Sequence, residues 1–122
     1  MHELILEKGR IRIDIKGIRV GDDLCLIISG GDRPHIGAVT LSVPRPSLAD
    51  AGVNSASTSV LTLTGHKDDD LARLISTMLA SKINRHVVVI CGIHLEKITP
   101  EEIETAKYMV IESIEEIAKL YY

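Results

Sequence analysis

Residues 10 to 16, RIRIDIK, alternate apolar and charged positions without a break. Ile11, Ile13 and Ile15 fall on one side of an extended chain, and Arg10, Arg12, Asp14 and Lys16 on the other, which predicts a half-buried strand. The preceding ELILEK predicts a second strand, with Gly9 as the bend or hairpin between the two. After the turn signal GDD at 21–23, the continuous apolar run LCLIIS at 24–29 has the pattern of a central strand buried on both faces. Ile36 to Val43 resumes a strand whose small alternate positions, Ala38, Thr40 and Ser42, imply a close approach on that side. From Pro44 to about Ser57 the period disappears, which predicts a loop of roughly a dozen residues, long enough to be functional. TSVLTLT at 58–64 alternates and is rich in β-branched residues, and HVVVICGI at 86–93 is a further buried run, so both predict strands.

Two stretches switch from period two to helical spacing. Leu71, Leu74, Ile75, Met78, Leu79 and Ile83 form one apolar face behind the segment GHKDDD. The last helix carries a capping box: Thr99 at the N-cap, Pro100 at the first helical position and Glu102 three residues after the threonine. Ile98 and Ile103 occupy the positions of a hydrophobic staple, and Ile103, Ala106, Val110, Ile114, Ile117 and Tyr121 line the buried face. The elements add up to one α+β domain over residues 1–122, a mostly antiparallel sheet of about six strands with two helices packed on one face.

Composition narrows the classes of function. A chain of 122 residues with 45% apolar and 25% charged residues builds one globular core and is not disordered. No window reaches the ~20 consecutive apolar residues of a membrane span, and the N-terminus lacks the features of a secretory signal, so a cytoplasmic location is expected. A net charge of −3 supplies no basic footprint for nucleic acid. The aromatic residues are Tyr108, Tyr121 and Tyr122, so a planar ligand has to be held mainly by aliphatic walls. Cys25 and Cys91 lie inside apolar runs, where a cysteine behaves as a small hydrophobe.

Candidate chemistry concentrates in three segments that set a histidine near a glycine at a strand end: His35 and Gly37, Gly65 and His66, Gly92 and His94. Convergence of the three imidazoles would allow a zinc-type metal and a metal-dependent hydrolase, although their spacing matches no familiar ligand motif. Each histidine could equally hydrogen-bond a loop carbonyl. In SGGDRPHIG, Gly30 and Gly31 let the backbone approach an anion while Arg33 and His35 supply donors, whereas the aspartates of GHKDDD repel one. No Walker spacing, nucleophile elbow or desolvated acid pair is present, so the residues point away from an enzyme.

Taken together, SGGDRPHIGAV, SVLTLTGHKDDDLAR and VVVICGIHLEKITPEEI resemble the prenylated flavin chaperone LpdD-like family, small proteins associated with UbiD-type decarboxylases. The resemblance runs from about Gly21 to Leu120. It implies a non-catalytic accessory protein that delivers prenylated FMN, or FMN, to an apo-decarboxylase. It also implies a fold like that of proteasome assembly chaperones, which tend to dimerise, and carries over His35, Gly37, Gly65, His66, Gly92 and His94 as positions matching the family pattern; with Gly30, Gly31 and Arg33, which together with His35 could hold an FMN phosphate, they are the expected cofactor-binding positions. A protein assembly chaperone without a small-molecule ligand is the alternative. A homodimer is expected on separate grounds. Two helices cover one sheet face, and the other must still bury some of Ile11, Ile13, Ile15, Val39, Leu41, Val43, Leu61 and Leu63, unless the long loop and the C-terminal tyrosines seal it.

Overall fold

The computed structural model describes residues 1–63 and 68–122, so Gly65 and His66 of the second glycine and histidine segment lie outside the described residues. In chain order the elements are β1 (His2–Lys8), β2 (Ile11–Val20), β3 (Asp23–Gly31), β4 (Ala38–Pro46), β5 (Asn54–Thr62), α1 (Asp68–Ile83), β6 (Val87–His94) and α2 (Pro100–Tyr121). Among the described residues the six strands make one sheet in the order β1-β2-β3-β6-β4-β5. Every neighbouring pair is antiparallel except β3 with β6, which run parallel. This is the α+β arrangement predicted, and both helices lie on one face. Gly9 and Gly21 turn the first two hairpins with φ of +59° and +62°, in open space, so left-handed backbone rather than crowding calls for glycine there.

Four expectations change. The run in β3 is not buried on both faces: Leu24, Leu26 and Ile28 are buried under the helices, while Cys25, Ile27 and Ser29 on the other face are partly exposed. With both helices on one side, nothing among the described residues covers the opposite side. Ile11, Ile13 and Ile15 likewise face the helices, so the uncovered apolar strip is made by Ile27, Val88, Ile90, Val39, Leu41, Val43 and Leu61.

The long loop also shrinks. β4 continues through Pro46 and β5 starts at Asn54, leaving residues 47–53, which Ser47 N–H closes onto the Val53 carbonyl at 2.7 Å. Prolines are tolerated in β4 because its pairing with β6 stops at Ser42; beyond it the strand has β5 on one side only, and a missing N–H costs nothing on a free edge. The C-terminal tyrosines do not seal the open face either. Tyr121 packs over Gly17 on the helix side with its ring edge-on to His2, and Tyr122 lies beneath Arg19.

The close approach implied by Ala38, Thr40 and Ser42 is that of α1. Ser42 and Ser76 share a buried hydroxyl contact of 2.6 Å, and Thr58 meets Thr77 at 2.6 Å, so small polar side chains let the helix lie close while their hydroxyls pair with one another. At the other end α2 starts on its capping box, with reciprocal Thr99 and Glu102 bonds of 3.1 Å. Arg10, from the first hairpin, grips the same Glu102 at 2.6 and 2.8 Å, which ties the β1–β2 turn to the start of α2.

Candidate functional site

Because β3 and β6 run parallel, they end together, at Gly31 and His94, beside the first turn of α1. The chain leaves β3 through Gly31 at φ +75°, pressed against the His94 carbonyl, which accepts the N–H groups of Asp32 at 2.7 Å and Arg33 at 3.3 Å. Those amides are therefore used within the fold, and what this turn offers a ligand is side chains. The chain returns to the sheet through Gly37, whose N–H donates to the Cys91 carbonyl at 2.9 Å. The His35 carbonyl stands where a Cβ on Gly92 would be, so a side chain at 92 would expel the loop.

The buried carboxylate of Asp68 holds this corner together. One oxygen meets His35 Nε2 at 3.1 Å and the other accepts the Ile93 N–H at 3.0 Å, while His35 Nδ1 faces the Arg33 carbonyl at 3.1 Å. A Cβ on Gly37 would collide with that carboxylate. The structure thus brings His35, Gly37, Gly92 and His94 into one corner, with the imidazoles of His35 and His94 6.5 Å apart, centroid to centroid, and edge to face. Gly30 and Gly31 close its rim, and Arg33 reaches Glu96 from outside. Among the described residues no group of three potential ligand side chains is arranged to hold a metal.

Next to this corner, between the first turns of α1 and α2 and the end of β6, lies a cleft of about 510 Å³. Leu71, Ile93, Leu95, Ile98, Ile103 and Ala106 supply apolar walls, and Asp68, Asp70, His94, Glu104 and Lys107 supply polar groups. Its volume is in the range of small-molecule sites, roughly 300–1,000 Å³. Sequence reasoning missed every lining residue except His94. Ile98 and Ile103 were visible as a helix staple and Leu71 as helix core, but no local signal says that a space is left between the two helix starts.

Electrostatics separates inert from responsive groups. Burial pushes the thiols of Cys91 and Cys25 up, the former helped by the Asp68 charge, so neither offers a thiolate. Glu96 accepts from His94 Nε2 at 3.3 Å and from Arg33 at 3.1 Å, and His94 first and Arg33 second hold its carboxyl below the usual range. Glu102, gripped by Arg10 and by the Thr99 backbone, is held at about 2.

Residues 7–121 match the family model of the prenylated flavin chaperone LpdD-like domain. The chain belongs to that family. A chain from the crystal structure of a chaperone complex for yeast 20S proteasome assembly superposes on it with a TM-score of 0.63 at 14% identity, covering 98% of this chain and 94% of that one. That likeness is one of fold. No curated protein matches the chain. Membership of the LpdD-like family agrees with the resemblance carried by the three glycine and histidine segments, two of which form the corner beside the cleft. Among the described residues no helix is long and apolar enough to cross a membrane.

Proposed function

We propose that this protein is a non-catalytic, cytoplasmic accessory factor that holds prenylated FMN in the cleft beside His94 and passes it to a UbiD-type decarboxylase. The observation that carries the reading is the cleft itself: aliphatic walls of Leu71, Ile93, Leu95, Ile98 and Ile103 around a volume of about 510 Å³, in a member of the LpdD-like family. Such walls fit the ring system and its prenyl addition. The bound cofactor would supply the decarboxylase with its electron sink; the chain's own part is to bind, orient and release. Aliphatic walls without aromatic stacking suit release, since a carrier with the tightest site would not give up its cargo. The polar rim fits the phosphate less well, because Asp68, Asp70 and Glu104 outnumber Lys107 and His94.

The test is a titration of the purified protein with FMN and prenylated FMN, followed by thermal melting and flavin fluorescence. Binding is expected to raise the melting temperature with ligand concentration, by about 2.7 kcal/mol of stability at a hundredfold excess over Kd. Faster activation of an apo-decarboxylase in the presence of the protein is the second expected result. No stabilisation at millimolar flavin, together with unchanged activation, would sink the reading.

A homodimer closed across the open sheet face is part of the same proposal. Leu41 is 45% exposed, Val43 42% and Leu61 76%, on adjacent strands of one face, a contiguous apolar patch of the kind that serves protein–protein contact. A symmetric pair that buries about 800 Å² per subunit is the commonest way to cover it. Light scattering at micromolar concentration is expected to give twice the 13.3 kDa of one chain, and a monomer mass would contradict the dimer. The same face would serve the alternative reading, a protein assembly chaperone with no small-molecule ligand, which the fold likeness favours. Dimerisation without any flavin binding would select it.

A further inference from the structure

Glu96 stands where an incoming anion would. Its Oε1 accepts from two donors at once, Arg33 Nη2 at 3.1 Å and His94 Nε2 at 3.3 Å, and His94 also lines the cleft. The backbone of the turn is held without help from that carboxylate. The Glu96 N–H donates to Asp32 Oδ2 at 3.0 Å, the Glu96 carbonyl accepts from Arg10 Nη2 at 2.9 Å, and the neighbouring Leu95 is buried in the core. The Glu96 side chain is 65% exposed and can rotate into water while the turn stays in place.

We propose that the Glu96 carboxylate is a placeholder in an anion seat, and that the phosphate monoester of a ligand displaces it to bind Arg33 and His94 at the edge of the cleft. The proposal rests on the flavin-carrier reading and gives it the phosphate position that the acidic rim of the cleft lacks. An exposed ion pair with a single carboxylate is a weak competitor. A phosphate monoester brings a charge near −2 and three acceptor oxygens to the same donors, and a guanidinium fork matches it in two places. The seat also gives a route to release, because the returning carboxylate takes the donors back as the phosphate leaves.

The experiment uses the full chain and three probes, inorganic phosphate, FMN and riboflavin, with His94 and Arg33 side-chain resonances followed by NMR. Glu96→Ala is expected to tighten phosphate and FMN roughly fivefold, the effect of removing one surface ion-pair competitor, and to leave riboflavin unchanged. Arg33→Ala is expected to abolish the phosphate-induced shift at His94. Unchanged or weaker phosphate binding in Glu96→Ala, no phosphate response in any form of the protein, or an equal gain for riboflavin would overturn the seat. If both flavins bind and Glu96→Ala changes nothing, the seat falls and the carrier reading stands. If phosphate gains as expected while neither flavin binds, the seat stands and the carrier reading falls.

Discussion

The two faces of the sheet are built from alternate residues of the same strands and have opposite fates. Along β3, Leu24, Leu26 and Ile28 lie under the helices with almost no exposure, while their neighbours Cys25 and Ile27 look out on the other side. The outer face itself is divided. On β1 and β2 it carries Glu3, Glu7, Arg12, Asp14 and Lys16, interspersed with Ile5 and Ile18, and the charges pair with one another as at Arg12 and Glu7, 2.9 Å apart. On β4 and β5 it carries Val39, Leu41, Val43 and Leu61. One wing has its partners in water and in neighbouring charges, and the other has none within the described chain. The proposed dimer would close over the second wing.

The largest test of the contrast is a pair of neighbouring truncations. Leu26→Ala is expected to cost about 2–5 kcal/mol in denaturant unfolding, since a fully buried side chain leaves a cavity. Ile27→Ala should cost about 1 kcal/mol in a monomer, where a half-buried side chain forfeits only part of its transfer energy. Equal losses at low denaturant and high protein concentration would mean that the outer face is as covered as the inner one.

Leu41→Lys sharpens the division between wings. The substitution is expected to weaken self-association by about thirtyfold or more, the scale of a central interface residue, while the circular dichroism spectrum and monomer stability change little. Sedimentation equilibrium measures the first, and an unaltered dissociation constant would move the interface elsewhere.

Where the β1–β2 turn meets α2, acid is the probe. Glu102 ties Arg10 to α2 and is held at about 2, below its unfolded value near 4.3. A depressed carboxyl stabilises the fold above its unfolded value, and that contribution is lost as pH falls from about 4.3 through about 2. Fraying of the start of α2, followed by amide exchange, should appear in that window and be pH-independent there in Glu102→Gln. The smallest effect is expected from Lys16→Ala, whose exposed pairs with Glu3 and Asp14 are 3.8 and 4.0 Å long. Its stability should stay within about 0.5 kcal/mol of the parent by thermal melting, and a larger loss would show that the polar wing is also an interface.

Much of this protein was legible along the chain because the signals are local. Alternation in RIRIDIK, the capping box at Thr99 and Glu102, and turn glycines 9 and 21 act over a few residues, and each element formed where its signal lay. The glycine and histidine segments were legible as a group, and the two that can be described share one corner, with His35 and His94 6.5 Å apart. What the pattern could not contain is which side of each strand the helices choose. An apolar run such as LCLIIS reads the same whether one face or both are covered, and only the packing of α1 and α2 on a single side left Ile27 and Leu41 outside. The same holds for Pro44 and Pro46, which break a strand paired on both sides but not a free edge, and the end of the β4–β6 pairing at Ser42 makes that distinction. The proposed Glu96 seat depends on residues 63 positions apart, Arg33 and Glu96, brought together because β3 and β6 end side by side. A side chain's chemical type is written in the sequence; its partner across the sheet is a consequence of tertiary packing alone.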